Sequence, residues 1–175
     1  GKVTNADSAH LYGGLIGHEM GHVMDIGDRL YPETSNNLMV AITSTMLDED
    51  SPYASSMNAL YEKVTSNTLG LSTNRSVVLN MLWQPYLAYE DNSTYKMLLN
   101  GFDSNLDDDS YFAKLNRAYR EMTAEERANG DRDQWLIRMS SKVVGKDLTG
   151  FYEAHGIIAN ATTLEYVSQF PKETK

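Results

Sequence analysis

Two histidines and a glutamate near the start of the chain have the types and the spacing of a metal site. His18 and His22 lie four residues apart in the run GHEMGH, with Glu19 directly after the first histidine. On a helix, which turns once in about 3.6 residues, both imidazoles point the same way. Two neutral imidazoles suit zinc, and the glutamate between them can act as general base on a zinc-activated water. The segment therefore predicts a catalytic zinc site on a helix.

A third zinc ligand can come from the residues that follow this helix. Gly27 is a natural helix terminator, and Pro32 can open a new helix with Glu33 in its first turn, pointing back across a tight loop. A set of two histidines and one glutamate leaves a fourth position for water, as catalytic zinc sites do. Glu33 is thus the candidate third ligand.

Two aspartates compete with Glu33 for this role. Asp28 lies six residues after His22, an interval used by another class of zinc peptidase. That class has a glycine three residues after the second histidine, where this chain has Asp25. Glu33 is therefore preferred.

The motif from His18 to His22, followed by Glu33-Thr34-Ser35-Asn36-Asn37, resembles the signature of the enhancin-like zinc metallopeptidases, peptidase family M60. Residues 82–87, 112–120 and 146–152 resemble helical segments that follow the zinc helix in that family, so the likeness covers most of the chain. It implies a zincin-like catalytic part with His18, His22 and Glu33 as zinc ligands and Glu19 as catalytic base. It also implies a protein or mucin-type glycoprotein substrate and a secreted or cell-surface location.

The family resemblance includes a pair of asparagines, but one histidine differs from the family pattern. Asn36 and Asn37 match the family pattern, but the sequence leaves open whether they support the metal or the substrate. They lie three and four residues after Glu33 and so share its helix face. His155 stands where the family commonly has an aromatic residue before glycine, which affects packing more than chemistry.

The sequence pattern predicts a series of helices, so the predicted fold class is mainly α. We predict a first helix capped near Asp7 and Ser8 and ending near Gly27. Further helices are predicted over residues 32–47, 53–64, 76–86, 111–119, 131–143, 147–156 and 161–170. A short helix is also predicted to end at residue 99, and another to begin with a capping box at Thr123. With 175 residues and 41% hydrophobic residues, residues 1–175 form one predicted domain. Peptidases of this kind have a β-rich part upstream, so we expect this domain to be the helical portion of a longer protein.

Four glycines interrupt the first helix: Gly13, Gly14, Gly17 and Gly21. Each interior glycine costs a helix about 1 kcal/mol relative to alanine, so tertiary contacts must hold this helix. Their small surface lets another backbone or a substrate approach closely. Trp83, Tyr86 and Tyr89 could form a sugar-binding platform, but at helical spacing they are better assigned to the core.

The overall charge limits the possible partners. A net charge of -9 and a pI of about 4.8 argue against nucleic acid, which binds basic surfaces. The chain has no cysteine for a disulfide or a thiolate metal site, no apolar run of the roughly 20 residues that span a bilayer, and no visible signal peptide. The leading hypothesis is a zinc endopeptidase acting on glycoproteins. The alternatives are a zinc aminopeptidase or other zinc hydrolase, and a non-catalytic glycoprotein-binding module.

Overall fold

The computed structural model describes residues 15–24, 31, 34–38, 40, 41, 75–89 and 111–174. They contain seven named helices: α1 (Leu15–Met24), α2 (Arg75–Tyr89), α3 (Tyr111–Arg120), α4 (Ala124–Arg127), α5 (Arg132–Val144), α6 (Thr149–Ala154) and α7 (Ala161–Val167). Residues 36–38, 40 and 41 also have helical backbone. No strand occurs among the described residues, only an isolated bridge between Asp147 and Lys172. The predicted mainly α class is confirmed.

The chain divides into two compact units. Unit 1 comprises residues 1–84 and 154–156, and unit 2 comprises residues 85–153 and 157–175. The prediction of a single domain stays a prediction, and each unit is described by itself.

In unit 1, α1 turns its glycines inward. Gly17 and Gly21 are buried, whereas Met20 and Val23 are 54% and 87% exposed. The buried apolar side chains of this unit come from the segment after α1 and from α2: Leu38, Val40, Ala41, Leu79, Met81, Leu82 and Trp83. α2 already includes Arg75, so the start predicted at Ser76 is one residue late.

In unit 2, α5 is the central helix and contacts α3, α4 and α7. The amphipathic pattern of α3 and α5 buries one face of each helix, which is the ordinary way for a helix to join a core. The buried apolar side chains are Tyr86, Tyr111, Leu115, Ala118, Tyr119, Met122, Leu136, Ile137, Met139, Leu148, Tyr152, Ile157 and Val167.

Side-chain caps and a glycine delimit the helices of unit 2, and the predicted capping box at Thr123 is confirmed. The Thr123 hydroxyl accepts a hydrogen bond from the backbone N–H of Glu126, whose carboxylate accepts one from the backbone N–H of Thr123. The side chain of Asp131 caps α5, and Gly145 ends that helix in the left-handed conformation, with φ of 69°. Asn160 caps α7 by accepting a hydrogen bond from the backbone N–H of Thr163. These contacts satisfy backbone groups that a helix leaves unpaired at its ends.

Glu126 is also the centre of a polar cluster in unit 2, the Glu126 network. Its Oε1 accepts hydrogen bonds from Lys142 Nζ (2.6 Å) and from the Tyr166 hydroxyl (3.0 Å). Burial alone raises the pKa of Glu126, but the hydrogen bonds from Lys142, the Thr123 N–H and Tyr166, with the charge of Lys142, outweigh it and lower the pKa to about 2. The network is completed by Arg138, which is 1% exposed and donates to the backbone carbonyls of Glu126 (2.7 Å) and Ala128 (2.8 Å).

Several predicted features lie outside the described residues. They include the start of the first helix at Asp7 and Ser8, its end near Gly27, the helix over 53–64 and the helix up to residue 99. Within the part of the chain that the structure describes, no helix has both the length and the apolar character needed to cross a membrane.

Candidate metal centre

His18 and His22 lie side by side on α1. Their ring centroids are 4.8 Å apart and the ring planes meet at 87°. This is the arrangement expected for residues four apart on a helix. His18 is partly buried and His22 is exposed, so the pair stands at the edge of unit 1, where solvent reaches it.

Gly21 allows the segment after α1 to approach the two histidines. A Cβ at this position would lie 2.4 Å from the backbone oxygen of Asn36 and 2.6 Å from its Cα. No real side chain fits at such distances. The sequence left two explanations for the glycines of this helix, close packing or substrate access, and for Gly21 the structure shows close packing against Asn36.

The side chain of Asn36 packs against both imidazoles. Its Nδ2 lies 3.2 Å from Nδ1 and 3.1 Å from Nε2 of His18, and 3.5 Å and 3.1 Å from the corresponding atoms of His22. An atom nearly equidistant from both nitrogens of one ring cannot be in line with either lone pair, so Asn36 contacts the His18 ring without a directed hydrogen bond to either nitrogen. Asn36 is 1% exposed, and its Oδ1 has no hydrogen-bond partner among the described residues.

Asn37 contacts His18 in a different way. Its Oδ1 lies 3.0 Å from His18 Nδ1, a normal hydrogen-bond distance. Both amides therefore lie against the histidine pair: Asn36 is close to both rings, and Asn37 is within hydrogen-bond distance of one ring nitrogen. The segment that carries them begins with a tight turn, in which the backbone N–H of Ser35 and its hydroxyl both donate to the carbonyl of Tyr31.

The side chains that the structure describes here fit a metal with nitrogen ligands. Two adjacent imidazoles on one helix face are the core of many zinc sites, and an amide contact to the second ring nitrogen is the usual support for a zinc-binding histidine. The predicted third ligand Glu33 lies outside the described residues, as do its competitors Asp25 and Asp28. Accordingly, the described residues alone contain no group of three or more His, Cys, Asp or Glu side chains placed to hold a metal.

Glu19, the predicted base, occupies the position between the two histidines and is exposed. Its carboxylate is thus accessible to a substrate that reaches the histidine pair.

Two other predictions concern packing. Trp83 and Tyr86 are 1% and 6% exposed, which confirms their assignment to the core, whereas Tyr89, assigned with them, is only partly buried. His155, interpreted as a surface or packing residue, is 1% exposed and lies 3.1 Å by its Nε2 from Nδ2 of Asn80 on α2. No local sequence pattern predicts this pair, since 75 residues separate its members.

The comparisons with known proteins concern the family and the fold of the chain. The profile of the family described as "Peptidase M60, enhancin and enhancin-like" matches residues 1–156. Among curated proteins, none is similar enough in sequence to count as a match.

Solved structures of similar fold include proteins from two bacteria. The ZmpB metallopeptidase of Clostridium perfringens has 24% sequence identity and a TM-score of 0.64, over 94% of this chain and 31% of that one. The catalytic module of the metalloprotease ZmpA from the same organism has 20% identity and a TM-score of 0.62, over 93% and 29%. A conserved protein of unknown function from Bacillus anthracis has 24% identity and a TM-score of 0.63, over 91% and 31%. The chain therefore spans about three tenths of the length of these structures.

The helical fold matches the catalytic modules of metallopeptidases, and the family profile covers the histidine pair, the paired amides and most of the downstream helices. The chain belongs to the peptidase M60 family, which comprises enhancin and enhancin-like proteins.

Proposed function

We propose that this chain is the helical part of a zinc-dependent endopeptidase that hydrolyses O-glycosylated, mucin-like glycoproteins outside the cell. The observation that carries the proposal is the pairing of the His18 and His22 rings, with centroids 4.8 Å apart, on a helix that also exposes Glu19. Membership of the M60 family supports a metallopeptidase. The mucin-type substrate and the extracellular location rest on the family resemblance alone.

In this proposal His18, His22 and Glu33 hold the metal. Zinc, when bound, supplies a Lewis acid that activates water and polarises the scissile carbonyl. Glu19 accepts a proton from the attacking water and passes it to the amine of the leaving peptide. The exposure of Glu19 suits this role, because the carboxylate must meet water and substrate in turn.

Zinc content tests the metal site without relying on activity. We expect one zinc ion per chain in the purified wild type, loss of zinc in Glu33→Ala, and retention in the matched control Asp28→Ala. Elemental analysis of the three proteins measures this. Loss of zinc in Asp28→Ala but not in Glu33→Ala would assign the third ligand to the competitor, and a folded wild type without zinc affinity would contradict the proposal.

Activity tests the base. We expect Glu19→Gln to keep zinc and to lower kcat for cleavage of a mucin-type glycoprotein by about 10²–10⁴-fold, the usual contribution of a general base. Normal turnover by this variant would exclude Glu19 as the base. Preferential cleavage of short peptides with free amino termini would instead favour the aminopeptidase alternative, and zinc-independent glycoprotein binding without cleavage would favour the binding module.

A further inference from the structure

The contact between Asn37 and His18 bears on the protonation state of the imidazole. A neutral histidine carries its proton on one ring nitrogen and a lone pair on the other, and only the nitrogen with the lone pair can bind a metal. Asn37 Oδ1 lies 3.0 Å from His18 Nδ1, and a carbonyl oxygen only accepts hydrogen bonds. The contact thus requires the proton on Nδ1, which leaves the lone pair on Nε2.

Asn36 does not oppose this arrangement. Its Nδ2 lies 3.1 and 3.2 Å from the two nitrogens of the His18 ring, so it is in line with neither lone pair. It therefore selects neither tautomer. Of the two neighbouring amides, Asn37 is the one placed to fix the position of the proton on this imidazole.

We propose that Asn37 is a positioning residue that holds His18 as the Nδ1–H tautomer and so presents Nε2 to the metal. The inference rests on the proposed function, because it assigns a purpose to this tautomer only if His18 binds zinc. The opposite orientation of the Asn37 amide would place its NH2 group against Nδ1, put the proton on Nε2 and prevent metal binding through that atom. The two orientations therefore make opposite predictions.

Two substitutions at Asn37 separate these roles. Asn37→Asp keeps an acceptor oxygen in place, whereas Asn37→Leu has a similar size and removes the hydrogen-bonding group. Histidine side-chain ¹⁵N NMR of the metal-free proteins, at a pH where the imidazoles are neutral, reports the tautomer directly. Competition with a chromophoric chelator measures the zinc Kd, and thermal unfolding confirms that each variant is folded.

We expect His18 to be the Nδ1–H tautomer in the wild type and in Asn37→Asp, and to shift towards Nε2–H in Asn37→Leu. Zinc affinity should fall about 10–100-fold in Asn37→Leu, the usual effect of losing a support for a metal ligand, and should be largely retained in Asn37→Asp. The matched control is Asn80→Leu, which removes the amide that contacts His155 and should leave the His18 signals unchanged.

Three results would overturn the inference. The first is an Nε2–H tautomer in the wild type, and the second is an unchanged tautomer and zinc Kd in folded Asn37→Leu. The third is loss of the wild-type tautomer and zinc affinity in Asn37→Asp. If the wild type binds zinc while Asn37→Leu behaves like it, the inference fails and the proposed function stands. If the folded wild type binds no zinc, the proposed function fails, and the role of Asn37 towards a metal fails with it.

Discussion

The histidine–amide cluster of unit 1 and the Glu126 network of unit 2 are assembled by different means. In the first, His18 meets Asn36 and Asn37 from a segment 18 and 19 residues further on, and the approach depends on the absence of a side chain at Gly21. In the second, the Glu126 carboxylate accepts a hydrogen bond from the backbone at the start of its own helix and also pairs with Lys142. A site that depends on a backbone approach should be sensitive to added atoms, whereas a network built on a cap should be sensitive to lost charge.

The largest effect is expected from Gly21→Ala in the histidine–amide cluster. The new Cβ would lie 2.4 Å from the backbone oxygen of Asn36, and backbone cannot move away as a flexible side chain can. Overpacking of this kind costs about 1–3 kcal/mol or more, which exceeds the roughly 1 kcal/mol that alanine contributes to helix propensity. Urea denaturation should show a lower free energy of unfolding, and chelator competition a weaker zinc affinity. A variant with wild-type stability and zinc affinity would mean that Asn36 does not approach α1 this closely.

A smaller loss is expected from Glu126→Gln in the Glu126 network. The variant keeps the shape of the side chain but loses the charge that pairs with Lys142, whose side chain is 42% exposed. At neutral pH we expect a loss of about 1–2 kcal/mol in the free energy of unfolding, measured by urea denaturation. The control is Glu125→Gln on the same helix, exposed and outside the network, which should stay within about 0.5 kcal/mol of the wild type.

The pH dependence of the difference in stability between wild type and Glu126→Gln tests the contribution of the Glu126 charge. The pKa of Glu126 is lowered from 4.5 to about 2 in the folded chain, so its stabilisation is complete above pH 4.5 and is lost as the pH falls towards 2. The difference in stability between wild type and Glu126→Gln should therefore shrink over that interval. A difference that stays constant down to pH 2 would show that the charge of Glu126 does not stabilise unit 2.

The smallest effect, and of opposite sign, is expected from Gly150→Ala in α6. A Cβ at this position meets no atom within 4 Å and the backbone does not have positive φ, so the substitution adds helix propensity without a clash. We expect a gain of about 0.4–1 kcal/mol in the free energy of unfolding, measured by thermal or urea denaturation. A loss of stability as large as that of Gly21→Ala would show that replacing a helical glycine is itself destabilising, whatever atoms surround it.

The ends of α4 and α5 could be predicted from the sequence because the signals are local. Thr123 and Glu126 are three residues apart, and Asp131 and Gly145 flank the helix that they delimit. The spacing of His18 and His22 likewise predicts their pairing, because a single helix sets it. The third ligand Glu33 stays a prediction, since it lies outside the described residues.

The finer contacts of the site could not be predicted in the same way. That Asn36 lies close to both histidine rings while Asn37 reaches Nδ1 of His18 depends on how the second segment crosses α1, and helix periodicity only places both on one side. The Asn80–His155 pair depends on tertiary packing between residues far apart in sequence. Such contacts are set by three-dimensional packing, which a single sequence does not encode as a local pattern.

The two tryptophans of the chain fall one in each unit, and their surroundings differ. Trp83 is 1% exposed in unit 1, whereas Trp135 in unit 2 is partly exposed and donates its indole N–H to the carbonyl of Arg127. A buried indole emits at shorter wavelength than one in contact with water. The chain therefore contains one intrinsic fluorophore in each unit, and unfolding should shift the emission of Trp83 further than that of the already partly exposed Trp135.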